Sequence, residues 1–264
     1  MSAQAHTSDP RILDRRTLAC DHRRLAALLR PGMAVLDVGC GTGAITADIA
    51  GAVGPTGTVV GIDRDPALLQ RARARHADVP GLRFEERDIL TLSDDAIFDV
   101  VTAARVLQWI EGPAAALACM VRATRPGGLV VALEYSHADL VWKPAPPAAV
   151  RRWYDAFLTW RTANGWDNRL AHHLPDLFAG AGLVEASASV EDEVVVRGDT
   201  GFGDALSIWR HVMDATPQVV ATGALPAAEL SAAVVAYGEW CENDARLQRM
   251  VLRAVAGRRP GAPA

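Results

Sequence analysis

The run VLDVGCGTGAIT, residues 35–46, constrains this chain more than any other segment. An apolar strand over Ala34–Val38 runs into Gly39, Gly41 and Gly43, and a helix follows over Gly43–Ala50. A strand-to-helix turn this tight calls for glycine, which adopts positive φ cheaply and lets a ligand approach the backbone. The helix N-terminus adds N–H groups with no partner inside the helix. Such a turn serves either a dinucleotide pyrophosphate or the aminoacyl part of a sulfonium nucleoside. Gly39, Gly41 and Ala44 also meet the loose G-x-G-x-x-G/A pattern, so the turn by itself leaves both ligands open.

The rest of the first half repeats the alternation. Strands are expected at Thr58–Asp63, Leu82–Arg87, Asp99–Ala103 and Leu129–Tyr135. Helices are expected near Pro66–His76 and Pro113–Ala123, with another near Arg16–Leu29 packed on the sheet. The strands are rich in Val, Ile and Leu with little polar alternation, as strands covered on both faces are. Together these are βαβ units, and the fold class is α/β with a doubly wound, mostly parallel sheet. The segment RPGG, Arg125–Gly128, reads as a turn that stops a helix and launches a strand.

After Tyr135 the composition changes. Val141–Trp166 is rich in Pro and Trp, with helix-breaking prolines at Pro146 and Pro147. LPDLFAGAGL reads as a helix ending in a glycine turn, and a strand is expected around Val184–Val196. Gly201–Glu242 is Ala-rich and helical, and RMVLRAVAGRRP suits a last strand beside the preceding one. The reading is one domain over residues 1–264, with helical cap insertions for substrate at 136–170 and 199–245.

Bulk properties exclude several classes. A formal net charge of −4 over 264 residues gives no basic excess to neutralise a phosphate backbone, so no nucleic-acid partner is expected. The arginines at 71, 73 and 75 and at 258 and 259 read as a solvated helix face and a tail. The four cysteines, at 20, 40, 119 and 241, lack metal-ligand spacing, so neither a metal site nor a disulfide framework is expected. The polar N-terminal stretch has no apolar core of a signal peptide, and no run is long enough to span a bilayer. A cytoplasmic location without membrane attachment is the expectation.

Acidic residues decide between the two ligand classes. Asp37, two residues before Gly39, can face a cationic amino group and would repel a pyrophosphate. Asp63 ends VVGID, where a carboxylate can hold both ribose hydroxyls, a feature both cofactor types share. Asp88, after the third strand in FEERDIL, can accept from the exocyclic amine of adenine. FDVVTAARVLQWI and RPGGLVV then fill the fourth and fifth strands at the expected spacing.

With these motifs the sequence resembles the class I S-adenosylmethionine-dependent methyltransferases, most of all those acting on small molecules, including quinone-biosynthesis and natural-product enzymes. The resemblance covers about residues 30–135 well and the remainder in outline. It implies a seven-stranded sheet with an antiparallel last strand, and S-adenosylmethionine as cofactor with S-adenosylhomocysteine as product. It places Asp37, Gly39, Gly41 and Gly43 around the methionine moiety and Asp63 on the ribose, with Arg64 against the adenine. Asp88 and Ile89 would bind the adenine edge and face. Ala104 and Arg105 would line the methionine side, and Arg15, Arg16 or His22 would close it.

Methyl transfer is an in-line displacement, helped by alignment of the reacting atoms and by exclusion of water. A base is needed only where the acceptor must lose a proton. The acceptor, a small molecule, is expected beyond the C-terminal ends of the strands, against Trp109, His137, Trp142, Trp153, Tyr154 and Trp209. His137, in EYSHAD after the fifth strand, is the candidate catalytic base. His172 and His173 read as surface residues, and Asp139, Asp155 and Asp167 as further polar candidates. The chain is expected to be a monomer or a homodimer. Two other readings stay open: an NAD(P)-dependent oxidoreductase, and a repurposed family member that binds the cofactor without methyl transfer.

Overall fold

Val35 and Leu36 are neighbours in strand β1 (Ala34–Val38), are both fully buried, and enter different cores. The same split occurs at Val59 and Val60 in β2 (Thr58–Asp63) and at Val100 and Val101 in β4 (Phe98–Ala104). Successive side chains of a strand point to opposite faces, so a strand covered on both sides must be apolar throughout. One core includes Leu36, Val60 and Val101 with Leu117 and Met120 of α6 (Pro113–Ala123) and Leu174 and Phe178 of α8 (Leu170–Gly180). The other packs Val35, Val59 and Val100 against Leu25 of α3 (Arg23–Leu28) and Ile49 and Val53 of α4 (Ala44–Val53). A smaller cluster joins Leu69 and Ala72 of α5 (Pro66–Arg75) to Phe84 of β3 (Leu82–Glu86).

The computed structural model describes residues 9–261, so the first eight residues of the polar N-terminal stretch and the last three of the tail lie outside the description. The chain forms two compact units. Among the described residues the sheet unit comprises Pro10–Glu134, Leu170–Glu191 and the chain from Arg253 to Gly261; the helical unit comprises Asp9, Tyr135–Arg169 and Asp192–Leu252. In the sheet unit β1 pairs in parallel with β2 and β4, β2 with β3, and β4 with β5 (Thr124–Lys143). The strand order, with β6 (Val184–Val190), β7 (Glu193–Val196) and β8 (Leu247–Arg258), is β3-β2-β1-β4-β5-β8-β6, and β6 and β8 are antiparallel. Order reverses between β1 and β4, the place where open α/β sheets take ligands at their carboxyl ends.

Three local expectations are corrected. The expected single helix over Arg16–Leu29 is broken into α2 (Leu18–Asp21) and α3, with α1 (Pro10–Leu13) before them. His22 breaks it: its backbone leaves the helical region, and its buried Nε2 lies 2.9 Å from Thr102 Oγ1 in β4. RPGG lies inside β5 as a bulge, because Phe98 and Val100 of β4 pair with Thr124 and Leu129, and β5 extends to Lys143. The sheet also has eight strands among the described residues where seven were expected. The strand expected near Val184–Val196 is two, β6 and β7, each antiparallel to β8. They part at Glu191 and Asp192, where the Asp192 carboxylate accepts the Leu252 N–H at 3.1 Å.

The helical unit is organised by apolar stripes. In α7 (Ala148–Ala163) the buried residues Val150, Trp153, Tyr154, Phe157, Trp160 and Arg161 recur at helical spacing. In α9 (Phe202–Ala215) they are Phe202, Leu206, Trp209 and Met213. The short helix α10 (Gln218–Ala221) links α9 to α11 (Ala227–Asn243), which buries Tyr237 and Trp240. Pro146 and Pro147 precede α7 and do not interrupt it.

Candidate cofactor site at the glycine turn

β1 delivers the chain into the turn Gly39–Gly43, and α4 leaves it. Gly39 has φ 69°, and a Cβ built there would lie 2.4 Å from Val106 Cγ2, so neither the conformation nor the space admits a side chain. The turn's amides are engaged within the protein. Gly39 and Cys40 donate to Ile62 O, Gly43 donates to Cys40 O, and Gly41 donates to Asp63 Oδ2 at 2.8 Å.

Two carboxyl groups flank this turn. Asp37 is buried and accepts the Thr46 hydroxyl at 2.7 Å. Burial pushes its carboxyl up to about 7; the Thr46 hydroxyl opposes that rise and the nearby Asp63 adds to it. Asp63 is tied down at both oxygens, since Oδ1 accepts the Asp65 N–H at 3.0 Å. Burial beside Asp37 and Asp63 also drives the Cys40 thiol upward, so the thiol stays protonated.

The sheet register brings the other cofactor candidates to the same end of neighbouring strands. Asp63 pairs with Glu86, two residues before Asp88, and Asp37 pairs with Thr102, two before Ala104. Arg64 is exposed in the bend before α5. Asp88 is exposed and caps the 3₁₀ turn Ile89–Thr91 by accepting the Leu90 N–H at 2.8 Å. Ile89 is a core residue, only 7% exposed. Ala104 is half-buried, and Arg105 follows at φ 63° with a buried side chain. Positive φ in an arginine is strained and is held by its surroundings. Arg105 N donates to Leu133 O at 2.7 Å, and its Nη1 donates to Asp21 O at 3.0 Å.

Of the residues expected to close the methionine side, His22 does not act as a cation. Burial, and then the charge of Arg105, push its pKa down to about 3, and its ring is engaged with Thr102. Arg15 is exposed and Arg16 half-buried, in the chain between α1 and α2. The sequence reasoning missed three residues here: Thr46, Val106 and Glu134. Glu134 left a signal, as the one acid in the apolar run LVVALEY.

The acceptor candidates fall in both units. Trp109 ends the short 3₁₀ helix Leu107–Trp109 of the sheet unit. His137, Trp142, Trp153, Tyr154 and Trp209 belong to the helical unit and come together there. Trp209 lies edge-on to Tyr154 at 5.2 Å and to Trp142 at 5.7 Å between ring centroids, and Trp153 stacks on Phe157 at 5.6 Å. His137 sits within β5 and not in the loop the sequence suggested. Its buried ring faces Tyr135, Phe157 and Trp209 at 5.7–6.1 Å, and its carbonyl accepts the Tyr154 hydroxyl at 2.7 Å. Trp142 Nε1 donates to Gln248 at 2.8 Å. His172 and His173 lie on α8, exposed as expected, while Asp139, Asp155 and Asp167 belong to the helical unit outside the ring contacts named above.

A doubly wound sheet with a glycine turn after its central strand and acids at adjacent strand ends defines a Rossmann-like α/β protein. The methyltransferase domain family matches residues 29–171, more than half of the chain, and the chain belongs to that family. It is 34% identical over 187 residues to the trans-aconitate 2-methyltransferase of Deinococcus radiodurans, a match covering 68% of this chain and 70% of that one. It is 41% identical over 126 residues to the ubiquinone/menaquinone biosynthesis C-methyltransferase of Burkholderia cenocepacia, covering 46% of this chain and 50% of that one. The structure of Haemonchus contortus phosphoethanolamine N-methyltransferase 2, in complex with phosphomonomethylethanolamine and S-adenosylhomocysteine, shares the fold. Its TM-score is 0.57 at 16% identity, covering 90% of this chain and 52% of that one. The chain spans half the length, or less, of the first curated relatives it matches.

Proposed function

We propose that this protein binds S-adenosylmethionine at the glycine turn and transfers its methyl group to a small-molecule acceptor. The arrangement of the turn carries this reading. A pyrophosphate would meet the amides of Gly39, Cys40, Gly41 and Gly43 already engaged, with two acids beside them. A cofactor with an ammonium group and ribose hydroxyls finds what it needs. A cation beside Asp37 would stabilise the charged form that burial disfavours. Each Asp63 oxygen accepts one N–H and keeps a lone pair for a hydroxyl.

S-adenosylmethionine, when bound, supplies the methyl group and a neutral thioether leaving group. Asp37, Gly39, Gly41 and Gly43 hold the methionine part, with Ala104 and Arg105 along its side. Asp63 holds the ribose. Arg64, Asp88 and Ile89, the last almost wholly buried, meet the adenine, and the second Asp88 oxygen serves the exocyclic amine.

Half-buried Trp109 in the sheet unit and, separately, half-buried Trp142 in the helical unit offer apolar surface suited to a planar acceptor; Trp153, Tyr154 and Trp209 are buried in the ring cluster of the helical unit and back Trp142 there. In this reading the helical unit is the substrate-binding insertion. His137 takes the proton from acceptors that must lose one. Among the described residues no helix is long and apolar enough to cross a membrane, and we assign the enzyme to the cytoplasm, as a monomer or homodimer without a nucleic-acid partner.

The test is a screen of small aromatic and carboxylic acceptors with S-adenosylmethionine, read as S-adenosylhomocysteine released above a blank lacking acceptor. Release supports the reading. Tight cofactor binding with no release from any acceptor would make the protein a family member that holds the cofactor without turnover.

A further inference from the structure

Glu134 is fully buried in β5, in a run otherwise apolar from Leu129 to Leu133. Its Oε1 accepts two backbone N–H groups of the loop after β4, Val106 at 2.9 Å and Leu107 at 2.7 Å. These amides open the 3₁₀ helix Leu107–Trp109, whose N-cap residue, Val106, makes no side-chain cap bond. Burial pushes this carboxyl up to about 8, while the Gln108 backbone N–H also favours its charged form; Oε2 itself is buried without a hydrogen-bond partner.

The loop held this way reaches two other parts of the cofactor site. Val106 Cγ2 occupies the space over Gly39, 2.4 Å from where a Cβ would lie. Arg105, in its strained backbone conformation, extends its guanidinium to Asp21 at the end of α2. Without the Glu134 carboxyl, two buried N–H groups lose their acceptor, and the strained residue beside them loses its support.

The geometry points to Glu134 as a positioning residue for the cofactor: it fixes Val106 against the glycine turn and Arg105 against α2, and so sets cofactor affinity. This rests on the reading that the glycine turn holds S-adenosylmethionine. One acceptor oxygen serves both amides, so the amide oxygen of glutamine can replace the carboxyl. An apolar side chain cannot. Leucine also removes a buried carboxyl with one unmatched oxygen, so its main penalty falls on the loop and not on the core.

The experiment is calorimetric titration of S-adenosylhomocysteine into the full chain and the variants Glu134→Gln, Glu134→Leu and Val106→Ala, with hydrogen exchange of the Val106 and Leu107 amides. Glu134→Leu should weaken binding by about tenfold or more and speed exchange at those two amides, while Glu134→Gln stays within about threefold of the unaltered protein. Val106→Ala, a mild truncation, should weaken binding by about fivefold with the Glu134 bonds intact. It carries the test if Glu134→Leu does not fold. Binding by Glu134→Leu or Val106→Ala equal to that of the unaltered protein overturns the proposal alone. Failure of the unaltered protein to bind S-adenosylhomocysteine overturns the cofactor reading, and the proposal with it.

Discussion

Asp63 Oδ2 accepts the Gly41 N–H at 2.8 Å, which ties the acid at the end of β2 to the glycine turn at the end of β1. Removing the carboxylate frees the turn and deletes the acceptor proposed for the ribose. Asp63→Ala should therefore weaken S-adenosylhomocysteine binding by about 10- to 100-fold, the range of one or two hydrogen bonds to a charged group. Asp63→Asn, which keeps one acceptor for Gly41, should fall between. Titration calorimetry on the two variants checks the order.

Asp37 makes a prediction in pH. Its carboxyl rises from 3.8 to about 7 in the folded protein, so the folded state holds a proton that the unfolded chain has lost. The contribution is favourable below 3.8 and disappears as pH rises to about 7, at roughly 1.4 kcal/mol per pH unit for one proton. Asp37→Asn should flatten this slope. It should raise the Tm of the ligand-free protein at pH 8 relative to the unaltered chain, and less so at pH 4. It should also weaken S-adenosylhomocysteine binding, because the cation loses its partner. Below pH 7, binding to the unaltered protein should release a proton, seen as a dependence of binding heat on buffer ionisation enthalpy that Asp37→Asn lacks.

Gly39→Ala meets both a φ of 69° and the Val106 side chain. It should cost on the order of 1–3 kcal/mol of stability and weaken cofactor binding by at least about tenfold. Adding Val106→Ala relieves the clash but not the backbone strain. The double variant should recover part of the stability, and additive losses would contradict the contact.

How far the sequence could be read followed the range of the interactions involved. The glycine turn, β1 and β2 were legible because their determinants are local: a backbone needing positive φ and strands apolar on both faces. The break at His22 was not, because its cause, Thr102, lies 80 residues away. RPGG looked like a turn, and Gly127 does have φ 78°, but pairing with β4 turns it into a bulge. The split of β6 from β7 depends on a side chain, Asp192, taking a ladder N–H from β8. At the site, acids facing the turn were visible as strand-end residues. Glu134 escaped because it acts on a loop 27 residues earlier in the chain.

His137 tests the chemistry of the helical unit. His137→Ala should lower kcat by about 100-fold or more for an acceptor that must lose a proton, with a smaller change in KM and little change for an acceptor that need not lose one. An unchanged kcat across pH would leave the ring a packing role against Phe157 and Trp209. Trp209, 1% exposed, is the reference for packing: Trp209→Ala should cost about 3–5 kcal/mol in stability, read by denaturant unfolding.

In the proposed function the glycine turn holds a sulfonium nucleoside and not a dinucleotide. Thermal unfolding with S-adenosylhomocysteine, with NAD and with neither tests it most directly. A ligand at 100 times its Kd adds about 2.7 kcal/mol, and a chain of this size gains about 2–4 °C per kcal/mol. An upward shift of about 5–11 °C is expected with S-adenosylhomocysteine and none with NAD. A shift with NAD alone would contradict it.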